Sequence, residues 1–347
     1  MSELLSASAL IEVLQEFSKT DKYNDLVNII VSALPKEEQQ SYQRIIAGEE
    51  LPSLSSDIIA KKIFSAEEHK ERVEYLLRSI TGDPSIEVDG MVANEGYSQS
   101  RGAKKVIFDM PFKLIDNRRG DLEFQVAPQE YIMERAEIYS GDMLVAQYSV
   151  DSGQKKGDMD YTDVKDVIII VFMKKSPKKF REFSSEHYIH RFFSQVSDTG
   201  LEYSPLRKIA YVQLDKALEQ LKSGENAEGD NRLLTMLAAM ADVNDEAVVR
   251  AAETDEMLKE IIKEVAVYVK DKEVQTMLLA EKYAIADYNA VRNEDRAEGR
   301  AEGITEGESR VARLMGQLLA ANRVQDAKRA SEDVAFRESL YAEFSIV

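Results

Sequence analysis

Seven consecutive apolar residues, Val167 to Met173, constrain this chain more than any other feature. A strand without a polar position has no side to offer to water, so it is buried on both faces, with helices packed against its sheet. The surrounding sequence supplies such helices. Asp57 stands as the N-cap of a helix running through Ile59, Ile63, Phe64, Val73, Leu76, Leu77 and Ile80, which Gly82-Asp83-Pro84 closes. Pro128 begins another, whose stripe Ile132, Ala136, Tyr139, Met143 and Ala146 has the spacing that covers a sheet face. Gly153 and Gly157 mark a loop before the apolar strand, a second loop surrounds Asp198-Thr199-Gly200, and Ile209 to Leu214 reads as a further strand. The order predicts an α/β fold built on a mixed sheet with helices on its faces.

Between the two helices lies a predicted hairpin. Val106-Ile107-Phe108 and Leu122 to Val126 flank the turn-forming segment Asp116-Asn117-Arg118-Arg119-Gly120. A turn centred near Asn117 places Asp109 opposite about Gln125 and within one or two rungs of Glu123. Alternation then sets Asp121, Glu123 and Gln125 on one face and Leu122, Phe124 and Val126 on the other. Two carboxylates so placed can share a divalent ion, and ions held this way cut phosphodiesters. The competing reading is an exposed acidic face that guards a sheet edge against pairing.

Composition bounds the rest. The chain has 347 residues, no cysteine and a net charge of -18. Disulfides and thiolate zinc sites are therefore excluded, a reducing cytoplasm is the expected compartment, and no long apolar run or export signal suggests a membrane. The acidic excess argues against nucleic acid, but Tyr97 to Asp215 holds 18 Lys plus Arg against 18 Asp plus Glu, so all of it lies in the flanks. Within the neutral block, Arg101, Lys104 and Lys105, then Arg118 and Arg119, then Lys174, Lys175, Lys178, Lys179 and Arg181 form basic clusters. Each is either a tracker of phosphates or an ordinary solvated loop. His187 and His190 have a metal-like spacing but lack a well-placed third ligand.

The flanks read as helical. Ala9, Leu10, Val13, Leu14 and Phe17 form one stripe, and Tyr23, Leu26, Val27, Ile30 and Val31 another. Beyond Asp215 the chain is acidic and helical, with Glu298-Gly299, Glu302-Gly303 and Glu306-Gly307 repeating every four residues, which marks a close helix contact or a hinge. The expected organisation is a helical N-terminal extension over 1–52, a core domain over 53–218 and an acidic helical region over 219–347. That last region is expected to mediate self-association, or to compete for the core's basic clusters.

Taken in order, Asp57-Ile58-Ile59-Ala60-Lys61-Lys62-Ile63-Phe64, Ile107-Phe108-Asp109, Asp121-Leu122-Glu123-Phe124-Gln125, Arg135 with Tyr139, and Asp160-Tyr161 resemble the PD-(D/E)XK nuclease family transposases, also called recombination-promoting nucleases. The resemblance covers roughly Asp57 to Leu218. It implies a restriction-endonuclease-like core in which Asp109, Glu123 and the carbonyl of Phe124 hold magnesium, with manganese as a substitute, and in which DNA is cut, possible links being recombination and mobile elements. The wider superfamily has a lysine where this chain has Gln125. Glutamine orients a water or a phosphate oxygen but carries no charge and moves no proton near neutral pH. Lys113 is a candidate substitute cation, and Asp57, Arg135 and Tyr139 are candidate supporting residues. The alternative is a nuclease fold without cleavage that serves DNA binding or protein assembly.

Overall fold

The computed structural model describes residues 10, 14, 23–64, 68–91, 109–147 and 163–346. Its chain forms two compact units, Lys36–Leu278 and Met1–Pro35 with Leu279–Val347. In chain order the helices are α1 (Tyr23–Ala33), α2 (Lys36–Ala47), α3 (Asp57–Ile63), α4 (Lys70–Thr81), α5 (Ile132–Ala146), α6 (Lys178–Arg181), α7 (Leu214–Ser223), α8 (Asn231–Ala241), α9 (Glu246–Ala252), α10 (Glu256–Tyr268), α11 (Lys272–Ala320), α12 (Val324–Glu332) and α13 (Val334–Glu343). The strands are β1 (Val88–Met91), β2 (Met110–Leu114), β3 (Arg119–Gln125), β4 (Val167–Met173), β5 (Ile189–Phe192), β6 (Gln195–Val196), β7 (Glu202–Tyr203) and β8 (Arg207–Gln213).

A six-stranded mixed sheet of order β1-β2-β3-β4-β8-β5 organises the larger unit. β1, β2 and β3 are antiparallel neighbours, β3, β4 and β8 run parallel, and β5 returns antiparallel to β8. β4 sits in the middle, and its unbroken apolar run follows from that place. Ile168, Ile170 and Phe172 join the core formed with α3, α4 and α8, while Val167, Ile169, Val171 and Met173 join the core under α5. Gly120 is required where β3 is squeezed between its neighbours, because a Cβ there would collide with the Ile168 carbonyl oxygen and the Phe112 ring.

Several elements differ from the sequence expectation. The helix expected from Asp57 through Ile80 is two helices, and Asp57 occupies the first turn of α3 rather than its cap, with Ser56 at the cap position. The Asp57 carboxylate pairs with Lys61 one turn on, at 2.7 Å. α5 begins at Ile132, not at Pro128, and β8 gives way to α7 at Leu214. β5 was not foreseen, because its sequence Ile-His-Arg-Phe has neither alternation nor an apolar run. The expected strand Val106 to Phe108, the stripe residues Ala9, Val13 and Phe17, the basic cluster Arg101, Lys104 and Lys105, the Gly153–Gly157 loop and Asp160-Tyr161 lie outside the described residues.

Residues beyond 218 also complete the core that contains the sheet. Leu233, Leu237, Val248, Leu258, Ile261 and Val265 are buried in one cluster with Leu76, Leu122 and Phe172. Three of these helices are capped by aspartates, Asp230, Asp245 and Asp255, each accepting a backbone N–H in the first turn. In the other unit, Leu314, Leu318, Ala330, Leu340, Tyr341 and Ile346 form a separate cluster. α11 continues unbroken through Gly299, Gly303 and Gly307, so the repeat is helix and not a hinge.

Candidate active site

β2 and β3 bring the predicted acids together through a three-residue turn. Arg118 O accepts from Leu114 N at 2.9 Å, and Asn117 takes a left-handed conformation with φ 68°. The turn therefore centres on Asp116 rather than Asn117. Lys113 pairs with Arg119 and Met110 with Leu122, so Asp109 and Glu123 flank the last registered rung. Asp109 is level with Glu123, not with Gln125 as the sequence suggested. Its Oδ2 accepts from Phe124 N at 2.9 Å, which fastens it to β3.

The acidic face of β3 is not an exposed edge. Asp121, Glu123 and Gln125 are 0%, 4% and 6% exposed, and their strand lies between β2 and β4. Glu123 and Gln125 line a small pocket with Ile132, Arg135, Ala136 and Tyr139 of α5 and Ile169 and Val171 of β4. Arg135 donates to Glu123 Oε1, and the Gln125 carboxamide donates to the same oxygen at 2.6 Å. The guanidinium also donates to Tyr139 Oη at 3.0 Å and to Gln129 Oε1 at 3.0 Å. Arg135 and Tyr139 reach the site together because they stand one turn apart on α5.

Burial dominates the electrostatics. It raises the Glu123 carboxyl to about 9, with Asp109 adding to the shift and Arg135 opposing it. Burial and the charge of Asp109 likewise push Asp121 up to about 7. Asp109 is raised by burial, against the hydrogen bond from Phe124; Asp57 pushes it further up, and Arg135 and Lys61 pull it down. α3 thus brings Asp57 and Lys61 within electrostatic reach of Asp109. Lys61 was not singled out from the sequence, although its spacing of four from Asp57 was available.

Asp121 was also passed over as a site residue. Its signal was an acid two positions before Glu123, on the same face of the strand. One oxygen of Asp121 accepts from Met110 N at 2.9 Å, while the other, and Glu123 Oε2, are buried and receive no donor, the two carboxyls lying next to each other. Lys113 is elsewhere: it reaches Asp89 on β1 at 3.3 Å, toward the turn end of the hairpin. His187 and His190 are not brought together either, since His187 contacts Glu228 and His190 contacts Gln213.

The residues present fit a hard divalent cation. Buried carboxylate oxygens without a hydrogen-bond partner are acceptors that a cation satisfies, and magnesium needs few protein ligands because it keeps several waters. Among the described residues no group of three or more His, Cys, Asp and Glu side chains is placed to hold a metal ion. Any such centre among them would therefore have at most two acid or imidazole side chains, with backbone oxygen or water supplying the rest.

A mixed sheet with a parallel centre, flanked by helices and carrying acids on an antiparallel hairpin, is the fold of the PD-(D/E)XK nucleases. The family model described as PD-(D/E)XK nuclease family transposase matches residues 54–294, and the chain belongs to that family. The match extends past residue 218 into the helices that complete the core. No curated protein and no solved structure matches the chain. Among the described residues no helix is long and apolar enough to cross a membrane.

Proposed function

We propose that this protein is a magnesium-dependent endonuclease that hydrolyses phosphodiester bonds in DNA, in the service of recombination or of a mobile element. The reading is carried by the unpartnered oxygen of Glu123, buried beside Asp109 at the end of the hairpin. Asp109 and Glu123 would hold the ion, with the Phe124 carbonyl as the third protein oxygen. When bound, the ion supplies Lewis acidity, which makes a water a better nucleophile and offsets charge developing on the phosphate.

The chain's own residues do the rest. Arg135 and Gln125 both bind Glu123 Oε1, which leaves Oε2 buried without a donor. Phe124 N holds Asp109 in the same way. Gln125 spends its amide N–H on Glu123, leaving its carbonyl oxygen as an acceptor for a water. Asp57 and Lys61 on α3 border Asp109 and stand as supporting residues. Tyr139 steadies the Arg135 guanidinium, which lies over its ring at 5.1 Å.

A second reading, a fold kept for DNA binding or assembly without cleavage, is favoured by the neutral Gln125 and by the engagement of Glu123 Oε1 with two donors. Cleavage of supercoiled plasmid with and without magnesium, beside folded Asp109→Ala and Glu123→Ala variants, separates them. Metal-dependent nicking lost in both variants is the expected result. Retained DNA binding with no cleavage in any divalent metal would establish the second reading.

A further inference from the structure

The segment that leaves β4 carries a dense run of positive charge. Residues 174–181 contain Lys174, Lys175, Lys178, Lys179 and Arg181 and no acid. β4 ends at Met173, level with Gln125 on β3 and Gln213 on β8. The segment starts at that rung, where Lys174 N donates to Gln125 O at 2.9 Å and Lys174 Nζ donates to Ser53 Oγ at 2.7 Å. It therefore emerges from the sheet just past the Gln125–Met173 rung, two rungs beyond Glu123.

Two anchors hold it. Ser176, only 2% exposed, donates from N and Oγ to the Asp215 carboxylate at 2.7 and 2.5 Å, and accepts from Gln213 Nε2 at 3.0 Å. Phe180 is buried against Tyr211 and His190 with ring centres 5.3 and 5.5 Å away. It shares a cluster with Ile132 and Ala136, which line the pocket at Glu123. With Phe180 turned inward, Lys178, Lys179 and Arg181 face solvent. Lys178 lies 3.7 Å from Glu182 in a pair that is mostly exposed and so binds weakly. Among the described residues Lys175, Lys179 and Arg181 make no ion pair.

We infer that residues 174–181 form the surface along which a DNA duplex lays its phosphate backbone beside the carboxylates. This rests on the nuclease reading. Exposed cations without an ion pair, Lys175, Lys179 and Arg181, attract an anionic partner locally against the repulsion of a net charge of -18, and their continuity with Gln125 puts that partner at the acids. Phosphate contacts of this kind position a duplex without reading its sequence. A segment already anchored at Ser176 and Phe180 loses little freedom when it binds.

The test is the full-length Lys178→Glu/Lys179→Glu/Arg181→Glu variant, with the corresponding triple alanine variant beside it. Binding of a fluorescent duplex is measured by anisotropy in calcium over about 50 to 300 mM salt. The expected result for the alanine variant is a loss of about tenfold or more in affinity and a salt slope reduced by about two to three, since each phosphate contact contributes about one. The charge reversal loses more. Manganese binding, read by electron paramagnetic resonance, is unchanged in both. Wild-type affinity and slope in the variants would overturn the inference, and continued cleavage would then leave the nuclease reading intact. Salt-dependent binding that the variants lose, in a wild type that cuts nothing, would uphold the surface and sink the nuclease reading. A wild type that prefers an RNA duplex, or binds neither nucleic acid, would overturn the assignment to DNA.

Discussion

Arg135 on α5 and Glu123 on β3 form an ion pair at the pocket floor, with the glutamate side chain 5% exposed and the arginine 33%. Removing one partner of such a pair leaves an uncompensated charge. Arg135→Met is expected to lower unfolding free energy by about 3 kcal/mol at pH 10, above the raised Glu123 value of about 9, which is the low end for a broken buried pair because the arginine is partly solvated. The loss shrinks at pH 7, where Glu123 already holds a proton. Urea unfolding at the two pH values checks this; equal losses would show that the pair contributes nothing electrostatic.

Asp121 and Glu123 give stability a pH dependence of known sign. Their carboxyls are raised from 3.8 to about 7 and from 4.5 to about 9, so the folded protein holds protons that the unfolded chain releases. Where the native state binds more protons, stability falls as pH rises. Metal-free protein should therefore lose stability from about pH 4 through about pH 9, with magnesium flattening the loss and Glu123→Gln reducing it. Denaturant titrations across that range, with and without the ion, measure it.

Gly120→Ala should be among the most damaging single changes in the larger unit. Its Cβ meets a backbone carbonyl, Ile168 O, which cannot swing away as a side-chain tip can. A cost of about 3 kcal/mol or more is expected, at or above the usual range for overpacking. A melting temperature within a degree or two of wild type would contradict the close packing of β3 on β4.

The bridge between α4 and α10 should be asymmetric. Arg72 donates to both oxygens of Glu264 at 2.7 Å, and its side chain is 3% exposed against 30% for the glutamate. Glu264→Ala strands a buried guanidinium and should cost about 3 to 5 kcal/mol, whereas Arg72→Met leaves a carboxylate that water reaches, and should cost less. The hydrogen bond from Arg72 holds the Glu264 carboxyl below its ordinary value of 4.5. Its contribution is therefore present above about pH 4.5 and disappears as pH falls. Thermal melts of both variants at neutral and acidic pH test the order.

Much of this was legible along the chain. Val167–Met173 has the bounds expected of it, because a strand buried on both faces needs no partner to be recognised. The common face of Asp121, Glu123 and Gln125 follows from alternation alone, and the order of motifs carried the family. The sequence did not place the register, which depended on Asn117 adopting a positive φ and on the turn closing between Leu114 and Arg118. It did not show that α8, α9 and α10 complete the core, since their apolar stripes state that something is buried and not against what. Nor did it separate an exposed acidic edge from a buried pocket. That was decided when β4 paired on the far side of β3 and α5 closed over the face, bringing Arg135 onto Glu123. Local pattern fixes which side of a strand is polar; only the packing of elements distant in sequence decides whether that side meets water or a guanidinium.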